Sequence, residues 1–298
     1  MNLIEEYRLH LVKSDRSEKT IHGYTTDLAQ FQKWLGAKPL TAITEVDVRS
    51  YRDHMLKQGN SPNTINRRIA SLASFGDWGV QDGVFKRNPA QYVKPVKVME
   101  LAPRWLNEEQ KKKLLAVVEH DLREARERYP RLWVLRKRDA VIVHTLLLTG
   151  LRVDELCSLA LSDLTLSERK GTLLVRQGKG GKQRVVMLMN ETRKQLGEWL
   201  AVRPQVEGDA LFVGQTGEGI RPRLVQRLVE RYSKMAGLEG VTPHSLRHTY
   251  ARSLLDSGAR LQEVAKLMGH GRLDSTARYV QPSEDDLREV VERLEGQG

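Results

Sequence analysis

Apolar residues recur at helical spacing from the first residues onward, with Leu3, Ile4, Tyr7 and Leu11 marking one face of a helix over Asn2 to Lys13. Ser17 followed by Thr20 to Leu35 starts a second helix, which Gly36 to Pro39 stops. The pattern predicts a third from Glu45 to Lys57 and a fourth from Ser61, with Pro62 in its first turn, to about Val80. This fourth helix carries Asn63, Asn66, Arg67 and Arg68 on or near one face, beside the apolar Ile65, Ile69 and Leu72. Spacing alone slightly favours a solvated face over a binding one.

Between Asn88 and Arg104 the pattern breaks. Pro89, Pro95 and Pro103, with Lys94 and Lys97, suit an extended basic connector. The expected division is a helical domain over 1–93, a linker over 94–103 and a second domain over 104–298. That second domain begins with helices and changes character at Gly171. Thr172 to Arg176 and Arg184 to Met189 are β-branched and apolar runs on either side of Gln177-Gly178-Lys179-Gly180-Gly181-Lys182, a hairpin signal. Helical patterns resume at Thr192, so the fold class is mainly α with a small antiparallel β-sheet. Near the end, Ser283 and Asp286 form a capping pattern ahead of Leu287, Val290, Val291 and Leu294. So short an apolar stripe must bury against something, either its own domain or another subunit.

A chain of 298 residues is long enough for two cores, and 40% apolar with 29% charged residues is ordinary for a globular protein. The charge balance is less ordinary. Lys and Arg number 49 against 38 Asp and Glu, a formal +11 that attracts polyanions, nucleic acid first among them. The single Cys157 excludes an internal disulfide, and no Cys/His group has zinc spacing. Glu5, Glu6 and Arg8 interrupt any signal-peptide pattern, and no window approaches the ~18 apolar residues of a membrane span. A cytoplasmic, nucleoid-associated protein is expected.

Four places could carry chemistry. In Thr149-Gly150-Leu151-Arg152-Val153-Asp154-Glu155-Leu156, Gly150 ends one helix and Arg152 opens the next, where its donors would add to an anion-binding helix N-terminus or pair with Glu155. Lys179 stands at the hairpin tip. The surrounding glycines superficially suggest a nucleotide-binding loop, but Gln183 replaces the required Ser or Thr and a strand follows instead of a helix. In Thr242-Pro243-His244-Ser245-Leu246-Arg247-His248, Thr242 caps a helix whose first turn holds His244 and Arg247 on one face, where the dipole favours an anion. His244 and His248 are four apart, but no glutamate follows His244 and no third zinc ligand is evident. In Leu267-Met268-Gly269-His270, Gly269 suits a helix C-cap that turns His270 outward, ahead of Thr276 and Tyr279.

The ordered set Thr-Gly-Leu-Arg-x-x-Glu-Leu, Gly-Lys-Gly-x-Lys, His-x-Leu-Arg-His-Thr and Leu-x-Gly-His followed by Tyr279 resembles the tyrosine site-specific recombinases, most of all the Xer-type enzymes and phage or transposon integrases. The resemblance spans most of the chain from Arg104, and the four-helix start is similar to the family's core-binding domain. It implies a helical core-binding domain followed by an α+β catalytic domain. Arg152, Lys179, His244, Arg247 and His270 become phosphate-site residues, Tyr279 the nucleophile and Glu155 a structural support. Asn63, Asn66, Arg67, Arg68, Lys94 and Lys97 become DNA contacts. Two features depart from the family: Asp154 stands where a small hydroxyl residue is usual, and Asp121 to Lys137 is longer and more highly charged.

The implied chemistry suits these residue types. Attack on a phosphodiester builds charge on the nonbridging oxygens, which two arginines meet with permanently charged donors. A tyrosine hydroxyl, with a reference pKa of about 10, must lose its proton as it attacks, and His244 is the expected acceptor or organiser. Lys179 would protonate the leaving 5′ oxygen, and His270 would hold a phosphate oxygen or position the tyrosine. Because the 3′-phosphotyrosyl bond stores the energy for rejoining, no metal or nucleotide cofactor is expected. The implied partner is double-stranded DNA with inverted half-sites, bound by a homo-tetramer or by a hetero-tetramer with a paralogue. The tail helix would be exchanged between subunits, and the arm-binding domain of larger integrases is expected to be absent. A type IB topoisomerase using the same nucleophile, or a noncatalytic DNA-binding regulator on this fold, are the alternatives.

Overall fold

The computed structural model describes residues 2–98, 104–176 and 183–269. Lys179, His270, Tyr279 and the tail from Ser283 lie outside the described residues, as does Pro103 of the connector. The chain divides into two compact units, Met1–Glu100 and Leu101–Gly298.

The first unit contains α1 (Leu3–Lys13), α2 (Glu18–Leu35), α3 (Glu45–Lys57) and α4 (Pro62–Gln81). Small polar side chains stop these helices from fraying at their starts. Asn2 accepts from the Ile4 amide at 3.1 Å, Ser17 from Thr20 at 3.2 Å and Ser61 from Thr64 at 3.2 Å, while Asp47 reaches back to the Thr44 amide at 2.7 Å. Each such cap contributes about 1 kcal/mol by satisfying a donor that has no partner within the helix. The apolar stripes then meet in one core containing Tyr7, Leu28, Phe31, Tyr51, Ile65, Leu72 and Phe75. Asp27 of α2, only 2% exposed, lies among them and accepts from Arg67 and, at 2.8 Å, from the Ser71 hydroxyl.

The second unit opens with a long helical hairpin, α5 (Glu108–Arg128) and α6 (Pro130–Thr149), turned at Tyr129. The charged stretch Asp121 to Lys137 falls here, and several of its charges are paired. Asp121 accepts from the Tyr232 hydroxyl at 2.7 Å and lies 3.2 Å from Arg136. Asp139, buried one turn further on, accepts from Arg138 at 2.6 and 3.0 Å. After the short α7 (Val153–Cys157) come β1 (Leu164–Leu166), β2 (Gly171–Val175) and β3 (Arg184–Met187). They form one antiparallel sheet in the order β1-β2-β3, with Leu173 paired to Leu164 on one side and Val186 on the other. Leu173, Val175 and Val186 face the core while Val185 and Met187 are exposed; a slip of one residue would reverse the faces.

Helices α8 (Asn190–Val202), α9 (Pro222–Met235), α10 (Pro243–Asp256) and α11 (Leu261–Met268) complete the described residues. The core of this unit gathers Leu114 and Val118 from α5, Val141 to Leu147 from α6, Leu173 and Val186 from the sheet, Trp199 from α8 and Val225 and Tyr232 from α9. Burying each large apolar side chain contributes roughly 1.5–3 kcal/mol. Among the described residues, no helix is long and apolar enough to cross a membrane.

Candidate active site

The ends of four helices converge in the second unit. Helix α6 stops at Gly150, whose left-handed backbone (φ 61°, ψ 24°) turns the chain so that Arg152 becomes the N-cap of α7. Helix α11 stops in the same manner at Gly269 (φ 63°, ψ 43°), immediately before His270. The other two ends are helix starts, those of α7 and α10, where unpaired amides favour negative charge.

Arg152 pairs with Glu155, one of the two possibilities open from sequence. Its amide donates to Glu155 Oε2 at 2.8 Å and its Nη1 to Oε1 at 2.7 Å, while Nη2 lies 3.5 Å from the Gly269 carbonyl oxygen. The Arg152 side chain remains 31% exposed, so the guanidinium is fixed on one edge and open on another. Glu155 is 4% exposed and also receives Arg184, whose Nη1 and Nη2 donate to the two carboxylate oxygens at 2.9 and 2.8 Å. Burial opposes charge on Glu155, but the hydrogen bonds from Arg184 and from the Arg152 backbone and side chain outweigh it, bringing the carboxyl down to about 2.

Helix α10 starts as its sequence predicts, with the Thr242 hydroxyl accepting from the Ser245 amide at 3.2 Å. His244 is exposed on its first turn and meets His248 edge to face, ring centroids 4.2 Å apart. Arg247 does not share that exposure. Only 1% exposed, it donates from Nη1 to the Gly150 carbonyl and from Nη2 to the Met268 carbonyl at 2.5 Å. The three-residue spacing aligns the two side chains around the helix, but Arg247 lies one turn deeper, where α6 and α11 enclose it. Two helix C-termini, each with outward-pointing carbonyls and a partial negative charge, are thereby neutralised by one cation. Asp154, the departure from the family pattern, lies on the first turn of α7. Burial pushes the neighbouring Cys157 thiol up to about 12, so at neutral pH it is not a thiolate nucleophile.

Arg184 is the residue that sequence reasoning missed. It heads β3, directly after the glycine-rich hairpin, and its partner lies 29 positions upstream, beyond the reach of any periodicity.

In the first unit the six residues proposed from sequence divide by environment. Asn63, Lys94 and Lys97 are exposed. Asn66 uses both ends of its amide on the connector, accepting from the Val96 amide at 2.7 Å and donating to the Val96 carbonyl at 2.8 Å. Arg67 and Arg68 flank Asp27, Arg67 in a direct hydrogen bond and Arg68 at 3.9 Å, with Arg68 also 3.4 Å from the Tyr51 hydroxyl.

Known proteins with this pattern are numerous. Residues 104–285 match the "Phage integrase family" and residues 4–83 the "Phage integrase, N-terminal SAM-like domain". Tyrosine recombinase XerC of Corynebacterium glutamicum is 42% identical over 158 residues, which is 52% of this chain and 50% of that protein. Tyrosine recombinase XerC of Corynebacterium efficiens is 34% identical over 92% of this chain and 84% of its own. Among solved structures, the XerH site-specific recombinase bound to difH substrate, in a pre-cleavage complex, superposes with a TM-score of 0.68 at 25% identity, covering 91% of this chain and 78% of that one. With the family pattern matched over both units and this identity sustained along the sequence, the chain belongs to the phage integrase family, the tyrosine recombinases.

Proposed function

We propose that this protein is a site-specific DNA recombinase that breaks and rejoins DNA strands through a 3′-phosphotyrosyl intermediate at Tyr279, acting as a tetramer on inverted half-sites. The observation that carries this reading is the convergence of Arg152 and Arg247 on the backbone at Met268 and Gly269, which adjoins His270 in sequence. Relatives named tyrosine recombinase align along nearly the whole chain, which favours strand exchange over simple relaxation or noncatalytic binding.

In the proposed reaction the Tyr279 oxygen attacks the phosphorus and the bond from phosphorus to the 5′ oxygen breaks. The tyrosine proton passes to or through His244, and Lys179 supplies a proton to the leaving oxygen. Arg152 stabilises charge on the nonbridging oxygens through its exposed edge, and Arg247 joins it by exchanging one of its main-chain carbonyl partners for the phosphate. A 5′ hydroxyl then attacks the phosphotyrosine, expelling the tyrosine and restoring the phosphodiester. Half-site affinity comes from Asn63, Asn66, Arg67, Arg68, Lys94 and Lys97 in the first unit together with the basic surface as a whole.

The test begins by recovering bound genomic segments and identifying their shared inverted repeat. A nicked duplex carrying that repeat should then trap a covalent protein adduct, whereas Tyr279→Phe should bind with unchanged affinity and trap none. An adduct that persists in Tyr279→Phe contradicts the proposal.

A further inference from the structure

We infer that Arg184 is a positioning residue for strand cleavage, holding Glu155 so that Arg152 meets the scissile phosphate in one fixed orientation. The inference rests on the recombinase reading above and adds to it a residue that neither motif nor family match assigns. Three observations support it. The Arg184 fork engages both oxygens of Glu155, at 2.9 and 2.8 Å, and the same oxygens receive Arg152 at 2.7 and 2.8 Å. Glu155 is therefore the shared hydrogen-bond acceptor of two arginines, one heading β3 and the other capping α7, with Arg247 Nη1 a further 3.9 Å from Oε2. Third, Arg184 packs on Gly269, where an added Cβ would lie 2.9 Å from its Cδ and Nη1.

Burial makes this arrangement directional. Glu155 and Arg184 are 3% and 13% exposed at their side chains, whereas Arg152 is 31% exposed. The inner pair is enclosed and rigid, and the outer arginine can present its remaining edge to a ligand. A bidentate guanidinium–carboxylate pair fixes angle as well as distance, which a single ammonium does not. Without Arg184, the carboxylate loses half its donors and can rotate, taking Arg152 with it. Misplacing a charge-stabilising group by about 1 Å costs on the order of 100-fold in rate while leaving spread-out phosphate contacts intact.

The test separates binding from cleavage. On the nicked half-site substrate, Arg184→Ala should bind within about threefold of wild type yet cleave at least tenfold more slowly, and Arg184→Lys should recover only part of the rate because it restores charge without the fork. Replacing the 5′ bridging oxygen with sulfur removes the need for a proton donor, so it should rescue Lys179→Ala and leave the Arg184→Ala defect in place. In a Glu155→Gln background, Arg184→Ala should add less than about threefold, since the two act through one contact. Urea unfolding of each variant identifies any that fail to fold, and Arg184→Lys then carries the comparison. Wild-type cleavage by Arg184→Ala, rescue by sulfur or full additivity with Glu155→Gln each overturns the inference alone. Absence of any wild-type adduct overturns it together with the recombinase reading.

Discussion

The guanidinium of Arg247 is hydrogen-bonded to the main-chain oxygen of Gly150, the residue whose left-handed turn ends α6 and releases the chain toward Arg152. Its other terminal nitrogen holds the Met268 carbonyl at 2.5 Å, so one buried side chain joins the C-terminal ends of α6 and α11. The positions of Arg247 and Arg152 are thus mechanically linked, because the turn at Gly150 determines where Arg152 begins α7.

Gly150 should therefore tolerate substitution poorly, for two separable reasons. Its φ of +61° costs any other residue about 1–2 kcal/mol, and a Cβ there would lie 2.4 Å from Tyr250 Cδ1. Gly237 has a similar φ of +69° with nothing within 4 Å. Gly237→Ala should show the backbone cost alone, and Gly150→Ala that cost plus roughly 1–3 kcal/mol of overpacking. Urea unfolding measures both; equal losses would contradict the packing argument.

Glu155 should make stability depend on acid. Its folded carboxyl is held at about 2, below its ordinary value of 4.5, so its stabilisation is fully present above pH 4.5 and is lost as pH falls from there toward 2. A depression of this size corresponds to roughly 3 kcal/mol. Glu155→Gln cannot titrate, so its stability should fall less steeply than that of wild type between pH 5 and 3. Identical slopes in denaturant midpoints over that range would show that the carboxylate is not held by Arg184 and Arg152 as described.

In the first unit, the Asp27–Arg67 pair should respond asymmetrically. The Arg67 side chain is 53% exposed and that of Asp27 is 2% exposed, so removing the aspartate leaves a cation that can turn into water. Removing the arginine leaves a buried carboxylate with less compensation, held by Ser71 at 2.8 Å and by Arg68 at 3.9 Å. Arg67→Ala should consequently cost more than Asp27→Asn, by on the order of 1–2 kcal/mol. The reverse order in thermal or urea unfolding would contradict this.

Much of the fold is legible in the sequence because helix ends carry local chemistry. Ser17, Ser61 and Thr242 cap where they are expected to, and Gly150 and Gly269 turn left-handed at the helix ends their neighbours predict. The hairpin is legible from two β-branched runs, but β1 is not, since Leu164-Thr165-Leu166 is too short to show alternation and depends on pairing with β2. At the site, motif order points to Arg152, His244 and Arg247, while their depth does not follow from spacing. Asn66 and Arg184 illustrate the limit. Their partners, Val96 and Glu155, lie 30 and 29 positions away, and only tertiary packing brings them together.

If Tyr279 is the nucleophile, the covalent bond to DNA must lie on its phenolic oxygen, and mapping that bond decides it. Wild-type protein trapped on a nicked half-site is digested with nuclease and trypsin, and the peptide that retains nucleotide is sequenced by mass spectrometry. Cleavage after Arg278 and Arg288 isolates Tyr279 within the segment Tyr-Val-Gln-Pro-Ser-Glu-Asp-Asp-Leu-Arg. Nucleotide is expected on Tyr279 through its phenolic oxygen, stable to alkali conditions that release phosphoserine. Nucleotide on any other residue, Ser283 of the same peptide included, would contradict it.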